Sequence, residues 1–267
     1  MTALSELKPV QESRLAKAIR QNASRLDQLW LMPWKLMRSP DAWQERVMQQ
    51  AITRMESVIL CCSRQVGKTE VVAAIAYLAA CYGWFVLVVS PSDEQSKEFM
   101  ARMLEYHGEN QLVNLVGEPT KHELLLRGGG RVLARPNNER TIRVYSKVDL
   151  LIIDEAARVP DQLYGAVRPM LAVSGGRTIL LSTPFGQRGF FHDEWVGEGQ
   201  TDWRRHKVKW NQCDRIPKSW IEQERRSRGD IWVKQEYECE FLSTSGACPF
   251  DIEAMMNLER VECEVEY

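Results

Sequence analysis

The sequence predicts an α/β protein on a doubly wound, mainly parallel sheet, with a small C-terminal lid subdomain. Three observations carry that prediction. Short apolar runs rich in β-branched residues recur as VILCCS (58–63), WFVLVVS (84–90), VDLLIIDE (148–155) and RTILLST (177–183). Helical stretches separate them, and strands alternating with helices favour a parallel sheet covered on both faces. The 44% apolar and 27% charged residues are those of an ordinary globular chain and exclude disorder, collagen and coiled coil. A length of 267 residues suits one large domain with an appendage.

Residues 1–43 read as an N-terminal helical entry segment. Leu15, Ala18, Ile19, Leu26 and Leu29 make an imperfect helical stripe, and Trp30, Trp34 and Trp43 then crowd around Pro33 and Pro40. Residues 44–200 read as the core. There VILCCS is a strand, followed by a glycine-containing turn and a helix from about Lys68. From Val71 to Val89 the chain carries no charge for nineteen residues, long enough to span a membrane. Its Ala-rich first half suits a helix and its β-branched, aromatic second half a buried strand, with Gly83 between them, so no membrane is expected. Ser92 is an N-cap candidate with Asp93 and Glu94 in the first turn. ELLLR (123–127), GGG and RVLAR (131–135) read as a hairpin. Residues 201–267 read as a polar lid or linker: WRRHKVKW alternates like an exposed strand, and two charged helices lead to an acidic end.

Thirty-five Lys and Arg against 36 Asp and Glu exclude a polycationic arm. Locally the balance is +5 over 124–148, +6 over 204–228 and −8 from 230 onward, and any one such run is ordinarily a solvated face. Seven cysteines without a CxxC and four scattered histidines make neither a disulfide framework nor a zinc site, and they suit a reducing compartment. The N-terminus lacks an apolar core for a signal peptide.

The chemistry gathers in SRQVGKTE (63–70), between a strand and a helix. The phosphate-loop pattern G-x-x-x-x-G-K-[ST] is met by Gly67, Lys68 and Thr69, while Cys62 holds the first glycine position. Backbone N–H groups of a turn feeding a helix bind phosphate oxygens, Lys68 neutralises their charge, and the Thr69 hydroxyl suits Mg²⁺. Asp154 and Glu155 close a buried strand and so reach the carboxyl edge of the sheet, where ligands bind in open α/β folds. Asp154 is the expected Mg²⁺ partner beside Thr69, and Glu155 the base for the attacking water. That glutamate, with the extra strand WFVLVVS between loop and acids in the chain, points to an ATP-hydrolysing P-loop NTPase of the additional-strand, catalytic-glutamate type, not a nucleotide kinase. Ser182 and Thr183, stopped by Pro184, offer hydroxyls that suit either γ-phosphate sensing or an ordinary strand-end turn. Trp43 and Gln44 offer a ring and an amide for adenine; a core tryptophan is the competing reading. Arg64, inside the loop, is placed to stabilise charge in cis.

WQ (43–44), SRQVGKTE, TIRVYSKVDLLIIDEAARVP (141–160), LLSTPFGQRGFF (180–191) and QEYECEF (235–241), in that order, resemble the ATPase half of the large terminase subunit of tailed bacteriophages. The resemblance runs from about residue 40 to 250. It implies packaging of double-stranded viral DNA into a procapsid, with ATP and Mg²⁺ as cofactors. It assigns Gln44 to adenine, Arg64 and Gln65 to the nucleotide loop, Glu155 to catalysis, Ser182-Thr183-Pro184 to coupling, and Arg143 to a finger reaching the next subunit of a homo-oligomeric ring. It further implies a portal protein and a small terminase subunit as partners, and a host-cytoplasmic protein docked transiently on the procapsid. Val144 stands where the family usually has glycine after this arginine. The family's second, nuclease domain needs carboxylates on separate core strands. Asp251, Glu253, Glu259, Glu262, Glu264 and Glu266 lie on one short tail, so no nuclease activity is expected from this chain. The alternatives are a helicase-like translocase, for which second-lobe motifs are missing, and a nucleotide-gated scaffold without turnover, against which Glu155 speaks.

Overall fold

In the computed structural model, which describes residues 23–138, 142, 144–197 and 203–243, the chain forms seven strands. They are β1 (Ser57–Cys62), β2 (Phe85–Ser90), β3 (Glu123–Leu125), β4 (Arg131–Pro136), β5 (Leu150–Asp154), β6 (Arg177–Ser182) and β7 (Trp203–Val208). One sheet joins them in the order β3-β4-β2-β5-β6-β1-β7, parallel throughout except for the β3/β4 hairpin. The mainly parallel, doubly wound α/β sheet is therefore as expected. In space, however, the strand between β1 and β5 is β6, not the WFVLVVS strand that separates them in the chain.

The uninterrupted apolar runs have a simple cause: both faces of each central strand are covered. Successive side chains point to opposite faces, so Val58, Leu60, Val86, Val88, Leu150, Ile152, Ile179 and Leu181 enter one core. Ile59, Leu87, Val89, Leu151, Ile153 and Leu180 enter the other. A charge at any of these positions would be desolvated on either face.

Helix α1 (Ala23–Leu31) buries Leu26 and Leu29, and the earlier stripe residues lie outside the described part. Helix α2 (Ala42–Met48) continues into a π-helical turn at Gln49–Thr53. Helix α3 (Lys68–Cys81) is buried at every position from Val71 to Cys81, which accounts for the long uncharged stretch. Among the described residues no helix is long and apolar enough to cross a membrane. Helix α4 (Asp93–Asn110) starts at Ser92, whose Oγ accepts the Gln95 N–H at 3.2 Å. Helices α5 (Asp161–Val167) and α6 (Gly189–Val196) lie before and after β6 in the chain.

The expected lid segment opens with β7, and β7 pairs in register with β1 along its whole length. Its ends Trp203 and Val208 are buried while Arg204, Arg205 and Lys207 between them are exposed, as an edge strand of the main sheet allows. Local pattern does not reveal a partner 146 residues away, as Ser57 is from Trp203. After it, α7 (Lys218–Arg228) and α8 (Asp230–Glu236) insert Ile221 and Val233 into the core that holds α3. The described cysteines, Cys61, Cys62, Cys81, Cys213 and Cys239, are free and buried.

Candidate nucleotide site

Because β5, β6 and β1 are neighbours, their carboxyl ends bring Glu155, Ser182-Thr183 and the Ser63–Gly67 turn to one edge. The turn reverses through left-handed backbone at Gln65 (φ 59°) and Gly67 (φ 84°). Gly67 has a second constraint: a Cβ there would stand 3.0 Å from Gln44 Nε2. The loop is tied down on several sides. Ser63 N–H donates to Val208 O (2.8 Å) and Arg64 N–H to Glu236 O (3.0 Å). Arg215 Nη2 donates to Val66 O (2.9 Å), and Gln44 Nε2 to Gly67 O (3.2 Å). A loop held this way presents the unpaired N–H groups and positive end of α3 with little reorganisation. Cys62, at the expected first-glycine position, is a strand residue packed inward. Burial raises its thiol pKa well above the usual range.

Lys68 reaches across the edge, its Nζ 2.7 Å from Glu155 Oε1. Glu155 adopts left-handed backbone (φ 48°, ψ 43°), a conformation costing a non-glycine residue about 1 kcal/mol, where β5 breaks into the 3-10 turn Ala156–Arg158. Its Oε2 accepts from Arg158 Nη1 (3.0 Å) and from Ser182 Oγ (3.4 Å). Burial pushes the Glu155 carboxyl up, but Lys68, then Arg158 and Arg64, outweigh it and hold it below its ordinary value. Asp154 is buried, and one oxygen accepts the Glu155 N–H at 2.9 Å. Burial first, and the Glu155 charge second, push its carboxyl up to about 6. Ser182, Thr183 and Pro184 are all buried at the tip of β6.

Gln44, Arg64, Gln65, Gly67, Lys68, Thr69, Glu155 and Thr183 line a single cleft of about 940 Å³. Asp154, Ser182 and Pro184, also expected in the site, are buried and do not line the cleft itself. Trp43 is 7% exposed and belongs to the core under α2. The capping box at Asp41, with its N–H donating to Gln44 Oε1 (2.9 Å), turns Gln44 toward the loop and its neighbour the other way. This is the core placement that competes with the adenine reading of Trp43. Arg143 lies outside the described residues.

Three participants escaped the sequence reading. Arg158 joins Glu155 to Thr183 Oγ1 (3.1 Å). Glu236, 1% exposed, accepts from Arg64 Nε at 2.6 Å and from Arg158 Nη2 at 3.4 Å. Arg215 pairs with Asp41 beside the loop. Only Arg158 carried a local signal, three residues after Glu155 and hence one turn away.

A parallel sheet with an anion-binding turn at its carboxyl edge, a lysine at the helix start and acids on a near strand defines a P-loop NTPase. A family profile for the N-terminal part of the terminase large subunit, T4likevirus-type, matches residues 59–248, and the chain belongs to that family. A curated relative, the terminase large subunit of Thermus virus P23-45, is 24% identical over 232 residues, covering 71% of this chain and 46% of the relative. The chain thus spans about half the length of the curated relatives it matches. Among solved structures, the large terminase ATPase domain of Thermus phage P74-26 superposes with a TM-score of 0.66 at 21% identity, covering 78% of this chain and 97% of that one. The large terminase of the thermophilic bacteriophage D6E, solved with ADP, gives 0.58 at 11% identity, covering 82% of this chain and 53% of that one. At these identities the likeness is one of fold.

Proposed function

We propose that this chain is the motor part of a DNA-packaging terminase, hydrolysing ATP to ADP and phosphate to move double-stranded DNA into a procapsid. The observation that carries this is the 2.7 Å pairing of Lys68 with Glu155 at the mouth of the phosphate loop. The two groups that phosphate binding and water activation require already stand together. The D6E relative binds ADP and ATP-γ-S, which supports the choice of nucleotide.

The triphosphate enters along Gln65 to Thr69, drawing Lys68 from Glu155 to its own oxygens. Glu155 Oε1, released, accepts the proton of the attacking water. Arg64 stabilises the developing charge in cis, and Arg143 of a neighbouring copy does so in trans within a ring. Gln44 presents its remaining amide N–H to adenine. Ser182 and Thr183 register the γ-phosphate, and the helices after β7 serve as the lid. The Thr69 hydroxyl and the Asp154 carboxylate are hard oxygen donors, and burial pushes the Asp154 carboxyl up even with the Lys68 charge nearby, so Mg²⁺ fits this donor set. Held by Thr69 and Asp154, Mg²⁺ would supply positive charge against the β- and γ-phosphates.

Grip on DNA is sequence-independent and uses phosphate contacts from the basic 124–147 and 204–228 regions. The portal protein and the small terminase subunit complete the machine on a procapsid in the host cytoplasm. Phosphate release with Mg²⁺, with and without duplex DNA, tests the reading. Expected are DNA-stimulated release and no strand separation on a forked duplex. Unwinding would favour a helicase-like translocase, and ATP binding without release a scaffold.

A further inference from the structure

Four groups meet at one guanidinium. Arg158 closes the 3-10 turn after Glu155, its own N–H returning to Glu155 O at 2.8 Å, so its side chain folds back over the sheet edge. Nη1 donates both to Glu155 Oε2 (3.0 Å) and to Thr183 Oγ1 (3.1 Å), and Nη2 to Glu236 Oε1 (3.4 Å). The Phe185 ring lies against it, 5.1 Å from the guanidinium carbon to the centroid. The two oxygens of Glu155 therefore have different keepers: Oε1 pairs with Lys68, and Oε2 is held by Arg158.

We propose that Arg158 is a positioning residue for hydrolysis: its fork fixes one oxygen of Glu155 together with the Thr183 hydroxyl, so that the other oxygen stays aimed into the cleft when Lys68 leaves for the nucleotide. This rests on the ATP-hydrolysis reading above. The physical reason is the difference between the two cations. Lysine is a point charge on a flexible stem and moves to a better anion. A guanidinium held by three acceptors and an aromatic face is planar, pre-organised and stays. The backbone of Glu155 sets where its side chain starts but leaves its torsions free, and the Arg158 fork restricts them. Because the same nitrogen holds Thr183, the acid on β5 and the hydroxyl on β6 share one orientation.

The test is a mutant cycle on the whole chain, with single-turnover ATP hydrolysis and equilibrium binding of ATP and ADP read in parallel. Arg158→Ala should bind both nucleotides within about threefold of wild type and hydrolyse roughly 10- to 100-fold more slowly, since a misplacement near 1 Å costs about 10²-fold. Thr183→Val should slow hydrolysis less, and the double variant should be no slower than Arg158→Ala, because both changes break one fork. Arg158→Lys restores charge without the fork and should recover less than about a third of the lost rate. Four results would overturn the proposal: wild-type hydrolysis in Arg158→Ala, full recovery in Arg158→Lys, multiplying losses in the double variant, or a selective loss of ATP over ADP binding, which would place Arg158 on the γ-phosphate itself. In each of these the wild type still turns over and the ATPase reading stands. A wild type that releases no phosphate would remove that reading and this one together. If Arg158→Ala melts early, Arg158→Lys with and without Thr183→Val carries the same comparison.

Discussion

Lys68, at the start of α3, and Glu155, just past the end of β5, neutralise each other, with Nζ and Oε1 2.7 Å apart and side chains only 12% and 19% exposed. A pair this sheltered is held more firmly than a surface ion pair, and removing one partner leaves the other charge poorly solvated. On the proposed function, the cation that a triphosphate would recruit is thus stored on the acid that would activate water.

This storage separates the two substitutions. Lys68→Ala should reduce ATP affinity by at least about 100-fold, since a charge-assisted contact is lost. Glu155→Gln should bind ATP at least as tightly as wild type, because Lys68 no longer leaves a carboxylate, while turnover falls on the order of 10²-fold or more for want of a base. Fluorescent-nucleotide titration and phosphate release measure the two arms. Full turnover in Glu155→Gln would refute the catalytic assignment.

Gln44 is nearly consumed by the backbone: Oε1 accepts from Asp41 N–H, and Nε2 donates to Gly67 O. Gln44→Ala should weaken inorganic triphosphate modestly through the loosened loop. It should weaken ATP by about a further tenfold, the value of one hydrogen bond. Competition titrations with both ligands decide it, and equal weakening would leave Gln44 only the task of holding the loop.

Burial first, and the Arg46 charge second, push the His206 imidazole down to about 4. An unfolded histidine titrates near ~6.5. Between these values the unfolded chain binds a proton that the folded chain refuses, so stability is full above the upper value and falls as pH drops toward the lower one. The melting temperature of His206→Asn should therefore decline less than that of wild type between pH 7 and 5. Parallel declines would locate the acid sensitivity elsewhere.

Arg143 in trans demands cooperation between copies. Turnover of the isolated chain should rise faster than linearly with its concentration. Mixing Arg143→Ala with Glu155→Gln should restore part of the activity, because each supplies what the other lacks at a shared interface, where a finger is worth ~10³–10⁵ in rate. A dead mixture, under conditions where wild type is concentration-dependent, would exclude a finger between subunits.

What the sequence determined by itself is whatever depends on near neighbours and on burial. The strands at 58–63, 84–90, 148–155 and 177–183 were legible because central parallel strands are apolar on both faces. The position of the loop from Gly67 to Thr69 after β1, and of the acids 154–155 at the end of β5, was legible because each directly follows an apolar strand run. What only the tertiary structure decided is adjacency between distant segments. It placed β6 between β1 and β5, putting Ser182 Oγ against Glu155. It took β7 into the main sheet beside β1 and turned Trp43 into the core. It also brought Glu236, far along the chain, under Arg64 and Arg158. Strand order and ion pairing are set by which surfaces meet once the chain has closed on itself. A buried glutamate 172 residues from its arginine leaves no periodicity, spacing or composition to read.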